Sequence, residues 1–186
     1  MDGIIILLIA SFFTGLAAKL VDLMEDNGLK LFKLDKFVFA VIYGLLIGYV
    51  ISNYNVVAPL WIGAVFALIL AKKIDNLAHF IGLISSLIFV ALWGLGKINI
   101  LLLAIFLVAA FLDEILSDFA EGKPLLKNKL LKFKITVSKN IKRILKLRPL
   151  LEIIALIASI IIWDFSLFLA ILFFDIGYLA AIKSIK

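Results

Sequence analysis

Apolar residues run in long, nearly unbroken blocks of 14 to 18 residues along the chain, and short polar stretches separate them. A bilayer core about 30 Å thick needs about 20 helical residues, so blocks of this length with short helical extensions indicate membrane-spanning helices. We therefore predict an all-α fold, a polytopic helical membrane bundle of about seven spans that forms one domain over residues 1–186. The predicted spans cover residues 4–20, 37–52, 56–71, 77–93, 98–112, 150–163 and 165–182.

The first and fifth blocks are expected to continue as helices beyond their apolar parts. Gly28 stands where the first helix should end, and Gly122, followed by Lys123 and Pro124, should end the fifth, because glycine just past a helix and proline shortly after it are common stop signals. Both helices then reach about 24 residues, which is enough to cross a bilayer core.

Lysine and arginine lie almost entirely on alternate connections between the blocks, and only Lys97 falls on the other set. Positively charged connections stay in the cytoplasm, so this pattern predicts an outside amino terminus and a cytoplasmic carboxy terminus in the cell membrane. With 65% hydrophobic residues, the composition excludes an ordinary soluble protein. Its isoleucine and lysine content, together with the absence of cysteine, indicates a prokaryotic source.

The one long connection, residues 119–149, is strongly basic, with nine lysine or arginine residues between Lys127 and Arg148. Apolar residues recur within it at spacings of three and four, which predicts an amphipathic helix lying on the inner leaflet. Its expected partner is anionic lipid, while nucleic acid is not expected. The alternative is that its cationic side chains bind a phosphate-bearing lipid or nucleotide. The candidates are Lys127, Lys132, Lys139, Lys142 and Arg143.

An acidic motif recurs at the cytoplasmic ends of the outside-to-inside helices, with Asp22 and Asp26 in the first and Glu114 and Asp118 in the fifth. Residues at i and i+4 share a helix face, so each pair can present oxygens to one cation such as Mg²⁺. Asp75 and His79 repeat the spacing after the third span. The alternative is a set of ordinary salt bridges in the headgroup zone. In that case Asp75 and Asn76 simply cap the fourth helix, and Asp75 and His79 need not share a face.

Asp175 stands in the middle of the last apolar block. An aspartate at the bilayer centre costs about 2.5 to 3.5 kcal/mol on insertion scales, so such residues usually face a bundle interior and serve function. Its expected partners are Tyr178, Lys19, Lys72, a bound cation or its own proton.

Gly44 and Gly48 form a GxxxG pattern within the second block. Two glycines at this spacing allow close helix approach. The pattern therefore predicts either packing within the bundle or a homo-oligomer through these residues.

The two acidic pairs resemble the DxxxD pairs with which UbiA-type prenyltransferases hold magnesium and a prenyl diphosphate. The resemblance covers only residues 22–26 and 114–118. The chain differs from that family in having far fewer spans and a glutamate in its second pair. The resemblance implies Mg²⁺ as a cofactor and a lipid diphosphate as the substrate.

These patterns predict a multi-pass membrane protein with a cytoplasm-facing site lined by carboxylates. The first hypothesis is a magnesium-dependent enzyme acting on a lipid or isoprenoid phosphate, with the two acidic pairs as metal ligands and Asp75 and Asp175 in catalytic roles. A second is a cation or proton-coupled transporter that uses Asp175. A third is a non-catalytic membrane scaffold.

Overall fold

The computed structural model of the chain describes residues 2–121 and 149–183, and the regular structure in these residues is entirely helical. The all-α prediction is confirmed, and each of the seven predicted blocks coincides with one helix. The helices are α1 (Asp2–Asn27), α2 (Asp35–Asn53), α3 (Ala58–Leu70), α4 (Leu77–Trp93), α5 (Ile100–Glu121), α6 (Pro149–Ile162) and α7 (Ser166–Lys183).

The predicted extensions of the first and fifth helices are confirmed, since α1 has 26 residues and α5 has 22. Gly28 follows α1 with a φ of +67°, a left-handed conformation that glycine adopts without strain. The predicted stop at Gly122 lies outside the described residues. So do the basic segment and its five candidate phosphate-binding side chains.

Four of the helices, α1, α2, α5 and α7, are long and apolar enough to cross a membrane. The other three are apolar but shorter, with 13 residues in α3, 17 in α4 and 14 in α6. At a rise of about 1.5 Å per residue, α3 and α6 are each about 20 Å long. The four long helices fit a membrane protein.

Side-chain size is distributed as in a helical membrane bundle. Large apolar side chains point outwards, among them Leu92, Ile100 and Trp163, which are 71%, 77% and 87% exposed. Small residues fill the interior, and about half of the buried apolar residues in the described ranges are alanine. Lipid tails solvate an apolar exterior, and small interior residues let helix backbones approach closely.

Three of the closely packed helix pairs run parallel, as the path of the chain requires. Ile4 of α1 lines the same cavity as Ser166 of α7, and further along Asp22 contacts Tyr178. In the same way α2 packs along α4, and α3 along α5. We call the end with the connections 28–34 and 71–76 the basic end, and the end with the connections 54–57, 94–99 and 163–165 the far end.

A glycine lies at a close contact within each of these three pairs, and Gly63 of α3 packs against Phe106 and Leu107 of α5. A Cβ atom added to Gly15 of α1 would overlap the backbone of Phe174, and one added to Gly177 of α7 would overlap the backbone of Phe12. Gly44 and Gly48 of α2 lie in the same way against α4. The GxxxG pattern therefore packs helices within the chain, and the predicted homo-oligomer has no support from these two glycines.

The helical structure is interrupted between α3 and α4. Lys72 has a φ of +56°, and the side chain of Asn76 accepts a hydrogen bond of 2.8 Å from the backbone N–H of His79. Asn76 is thus the N-cap of α4. Asp75 lies in the connection and not on a helix, so it does not share a helix face with His79. The capping alternative is confirmed for Asn76, and of the three copies of the acidic motif those in α1 and α5 lie on continuous helix.

Candidate functional site

Asp22 lies near the basic end of α1 and contacts side chains from two other helices. The hydroxyl of Tyr178 on α7 donates a hydrogen bond of 2.8 Å to Asp22 Oδ2, and His79 Nε2 of α4 lies 3.2 Å from Asp22 Oδ1. Lys19 Nζ lies 3.6 Å from Asp22 Oδ2 and donates a hydrogen bond of 3.0 Å to the Tyr178 hydroxyl. Both oxygens of the carboxylate therefore have partners.

A fourth helix joins through the other nitrogen of the imidazole. The hydroxyl of Tyr43 on α2 lies 3.1 Å from His79 Nδ1 and 3.3 Å from the carbonyl oxygen of His79. The contacts form one continuous chain across α1, α2, α4 and α7. We call its five members, Lys19, Asp22, Tyr43, His79 and Tyr178, the Asp22 network.

Local structure explains how the imidazole reaches this position. His79 is the third residue of α4, and the Asn76 cap fixes the first turn that carries it. Gly82, one turn later, leaves room for the ring of Tyr43, which a Cβ atom at this position would strike. The cap therefore sets the helix start, and the glycine admits the tyrosine that contacts His79.

The Asp22 network accommodates either protonation state of His79. When the imidazole is neutral, Nε2–H donates to Asp22 and Nδ1 accepts from the Tyr43 hydroxyl. When it is charged, Nδ1–H donates to the Tyr43 oxygen, and the hydroxyl proton turns to the His79 carbonyl oxygen 3.3 Å away. Neither state leaves a ring nitrogen without a partner, so a proton can be gained or lost without breaking the chain.

A second cluster joins the end of α3 to α5. Lys73, just past α3, forms an ion pair with Asp118, and its Nζ lies 3.8 Å from Glu114 Oε2. Glu114 and Asp118 are 4% and 9% exposed. The two carboxylates share a helix face and both contact the Lys73 ammonium group, while their predicted role as metal ligands stays a prediction. We call these three residues the Lys73 cluster.

Asp113, next to this pair, has a structural role. Its carboxylate accepts hydrogen bonds of 3.1 Å and 2.7 Å from the backbone N–H groups of Leu150 and Leu151 in the first turn of α6. A carboxylate at a helix N-terminus satisfies free N–H groups and opposes the positive end of the helix dipole. Asp113 therefore fixes the start of α6 against α5.

The remaining predicted site residues are at least partly exposed. Asp26 is exposed, whereas Asp22 is partly buried and contacts α4 and α7. Asp75 is exposed in the connection before α4, and Asp175 is partly exposed one turn before Tyr178. Within residues 2–121 and 149–183, no group of three or more acidic, histidine or cysteine side chains is arranged to hold a metal ion. The magnesium site stays a prediction.

Sequence reasoning missed Tyr43 and Lys73. Tyr43 is a hydroxyl-bearing residue inside an apolar helix, directly before a glycine of the GxxxG pattern. That combination was the available signal, because a buried tyrosine hydroxyl usually has a polar partner where helices approach closely. Lys73 carried no comparable signal, since it is one of several lysines at the basic end.

Polar groups also lie between the far end and the Asp22 network. A cavity of about 300 Å³ opens at the far end beside Leu7 of α1 and Asp164. One turn further along α1, Ser11 is fully buried. Its Oγ, like Nε1 of the buried Trp61 on α3, has no hydrogen-bond partner among the described residues. The interior of the bundle is therefore not purely apolar between its two ends.

Comparison with known proteins adds one finding to this geometry. The chain matches no protein-family model, and no curated protein or solved structure matches it. The likeness of the acidic pairs to those of UbiA-type prenyltransferases thus remains a resemblance of four residues, and one of them, Asp26, points to the exterior.

Proposed function

We propose that the protein is a multi-pass protein of a prokaryotic cell membrane that carries protons, alone or in exchange for another cation. The observation that supports this best is the Asp22 network, in which a carboxylate, an imidazole and two phenols form one hydrogen-bonded chain across four helices. Histidine exchanges protons near neutral pH, and titratable chains inside membrane helices are typical of proton pathways.

The proposed placement follows the positive-inside rule. The basic end, with its lysine-bearing connections, then faces the cytoplasm, and the far-end cavity faces outwards. His79, three residues into α4, exchanges protons with the cytoplasmic side. All seven helices cross or enter the bilayer, the shorter α3 and α6 with local thinning of the lipid.

The proposed route runs from the far-end cavity, past Ser11 and Trp61, to the Asp22 network. A buried polar group without a partner costs about 1–3 kcal/mol, so an apolar residue would serve better at Ser11 if packing were its only role. A hydroxyl and an indole N–H in the middle of the bundle fit a path along which water or a hydrated ion passes. Asp175 lies on the same helix as Tyr178, one turn before it. We propose that this predicted acid also lies beside the path.

The proton acts on the bundle by changing the link between α1 and α4. These two helices are not principal packing neighbours, and the contact between Asp22 and His79 joins them directly. A proton added to His79 turns a hydrogen bond to a carboxylate into an ion pair, which strengthens with burial. Gain and loss of the proton therefore tighten and loosen α4 against α1.

Proton flux in vesicles tests the proposal. The purified protein is reconstituted in liposomes that contain a pH-sensitive dye, and a potassium diffusion potential drives proton entry. We expect Asp22→Asn and His79→Gln to slow the entry at least tenfold, and Asp175→Asn to slow it if the last helix contributes as predicted. Asp26→Asn is the matched control, since it removes an exposed carboxylate one turn from Asp22.

Two results would contradict a proton carrier. One is wild-type flux no faster than that of empty liposomes at every driving force. The other is equal flux in Asp22→Asn, Asp26→Asn and the wild type, which would make the network purely structural.

A second candidate function, a magnesium-dependent enzyme of lipid phosphate metabolism, has one observation in its favour. Glu114 and Asp118 already hold one cation, the Lys73 ammonium, between them. Carboxylate oxygens also suit Mg²⁺ when phosphates complete its shell. Polyprenyl diphosphate binding that requires Mg²⁺ and is lost in Glu114→Gln would favour this enzyme. Binding of the same strength with and without Mg²⁺ would exclude it.

A further inference from the structure

The connection between α1 and α2 exposes apolar and basic side chains in alternation. Leu31, Phe32 and Leu34 are 54%, 50% and 59% exposed. Lys30 and Lys33, which alternate with them, are also exposed. Apolar exposure of this extent in a short connection at the basic end marks a contact surface.

The connection has a fixed conformation. Asp35 is buried, and its carboxylate accepts backbone hydrogen bonds of 2.6 Å from Leu31, 3.3 Å from Phe32 and 2.8 Å from Lys36. Leu34 has a φ of +67°, an uncommon conformation for a leucine, which directs the chain into α2. The backbone N–H groups of Leu31 and Phe32 are therefore satisfied within the connection, and its apolar side chains are exposed.

We infer that residues 29–34 form a docking surface for anionic lipid. The apolar side chains enter the boundary between headgroups and acyl chains, and Lys30 and Lys33 contact the lipid phosphates. This inference rests on the membrane placement proposed above, because it requires the basic end of α1 to lie at a bilayer surface. Charge complementarity selects an anionic leaflet over a zwitterionic one.

The internal hydrogen bonds favour lipid over a soluble protein as the occupant. A backbone N–H group without a partner is unfavourable at the edge of a bilayer, where little water is available. At Leu31 and Phe32 the Asp35 carboxylate provides that partner. The tip can therefore enter the headgroup layer without breaking a hydrogen bond.

The lysines set the size of the expected effect. A basic residue near an anionic membrane surface favours binding about fivefold, so removing both lysines should lower the insertion equilibrium about 25-fold. The apolar residues should act independently of lipid charge. Insertion into anionic lipid reduced to the weak level found in neutral lipid is therefore the expected signature of Lys30→Gln/Lys33→Gln.

Site-directed spin labelling tests the inference, because the chain has no cysteine. Single nitroxide labels are placed through Phe32→Cys and, on the exposed surface of α3, Phe66→Cys. Accessibility to oxygen and to a water-soluble nickel complex is compared in phosphatidylglycerol and phosphatidylcholine vesicles. We expect the Phe32→Cys label to leave the aqueous phase in phosphatidylglycerol, and the double glutamine variant to reverse this. Lys72→Gln, an exposed lysine at the same end, is the matched control.

The two labels separate two kinds of failure. If the Phe66→Cys label lies in lipid while the Phe32→Cys label stays water-accessible in both vesicle types, the docking surface is wrong and the membrane placement survives. If the Phe66→Cys label is itself water-accessible, the placement fails, and the inference fails with it. Equal burial of the Phe32→Cys label in both lipids would show that Lys30 and Lys33 do not select anionic lipid.

Discussion

Two clusters at the basic end use the same residue classes for different purposes. In the Asp22 network one carboxylate is surrounded by two phenols and an imidazole, and only Lys19 carries a fixed positive charge. In the Lys73 cluster one ammonium group serves two carboxylates, with no hydroxyl or imidazole among these three residues. The first can change its charge without losing its hydrogen bonds, whereas the second can only hold or lose its ion pair.

The difference shows how a short connection can link a fixed contact to a variable one. Lys73 and His79 are six residues apart, on either side of the Asn76 cap. The same stretch of chain therefore attaches α3 to α5 through charge and attaches α4 to α1 through a titratable hydrogen bond. In the proposed carrier, a proton at His79 moves the start of α4 while Lys73 keeps the other side of the connection in place.

The contact between α1 and α7 is the largest determinant of the Asp22 network, because it brings Tyr178 to Asp22. Gly177→Ala places a methyl group against the backbone of Phe12, and overpacking of this kind costs about 3 kcal/mol. We expect the free energy of unfolding in nanodiscs to fall by about 3 kcal/mol, with a lower melting temperature. Proton flux should fall as well. Gly3→Ala is the control, since nothing lies near an added Cβ there. An unchanged melting temperature in Gly177→Ala would refute the glycine contact.

The Lys73 cluster should respond to loss of its cation with a smaller change. Lys73→Ala leaves Glu114 and Asp118 close together with their ammonium partner removed. Because the lysine side chain is 26% exposed, water offsets part of the loss, and we expect a destabilisation of about 2 kcal/mol. Lys72→Ala removes an adjacent, exposed lysine and should change stability little. Equal destabilisation by the two variants would show that general charge, and not this ion pair, holds α3 to α5.

The sequence was sufficient where structure depends on local pattern. Apolar blocks predicted all seven helices of residues 2–121 and 149–183, and Gly28 and Asn76 predicted where α1 ends and α4 begins. These features need no knowledge of neighbours, because hydropathy, helix stops and caps act within one turn or one helix.

The candidate site was harder to predict because it depends on which helices become neighbours. Spacing placed Glu114 and Asp118 on one face, where both contact Lys73, but it did not indicate that Asp22 would be partly buried and Asp26 exposed. Asp26 lies one turn further towards the end of α1, beyond the turn at which Tyr178 and His79 contact Asp22, so it is left exposed. No periodicity within a single helix contains that information.

The smallest predicted effect separates the proton-exchanging role of the network from its role in stability. Tyr43→Phe removes the hydroxyl that contacts His79 Nδ1, at a stability cost of about 1 kcal/mol. Tyr54→Phe is a matched control, because it removes one hydrogen bond of 2.8 Å to the carbonyl of Gly3 at the far end. Burial raises the pKa of Tyr54 to about 12, so its hydroxyl stays a neutral donor throughout the assay range.

Only Tyr43→Phe should alter how proton flux depends on pH. If both tyrosine variants gave the wild-type pH profile, His79 would not be the group that exchanges the proton.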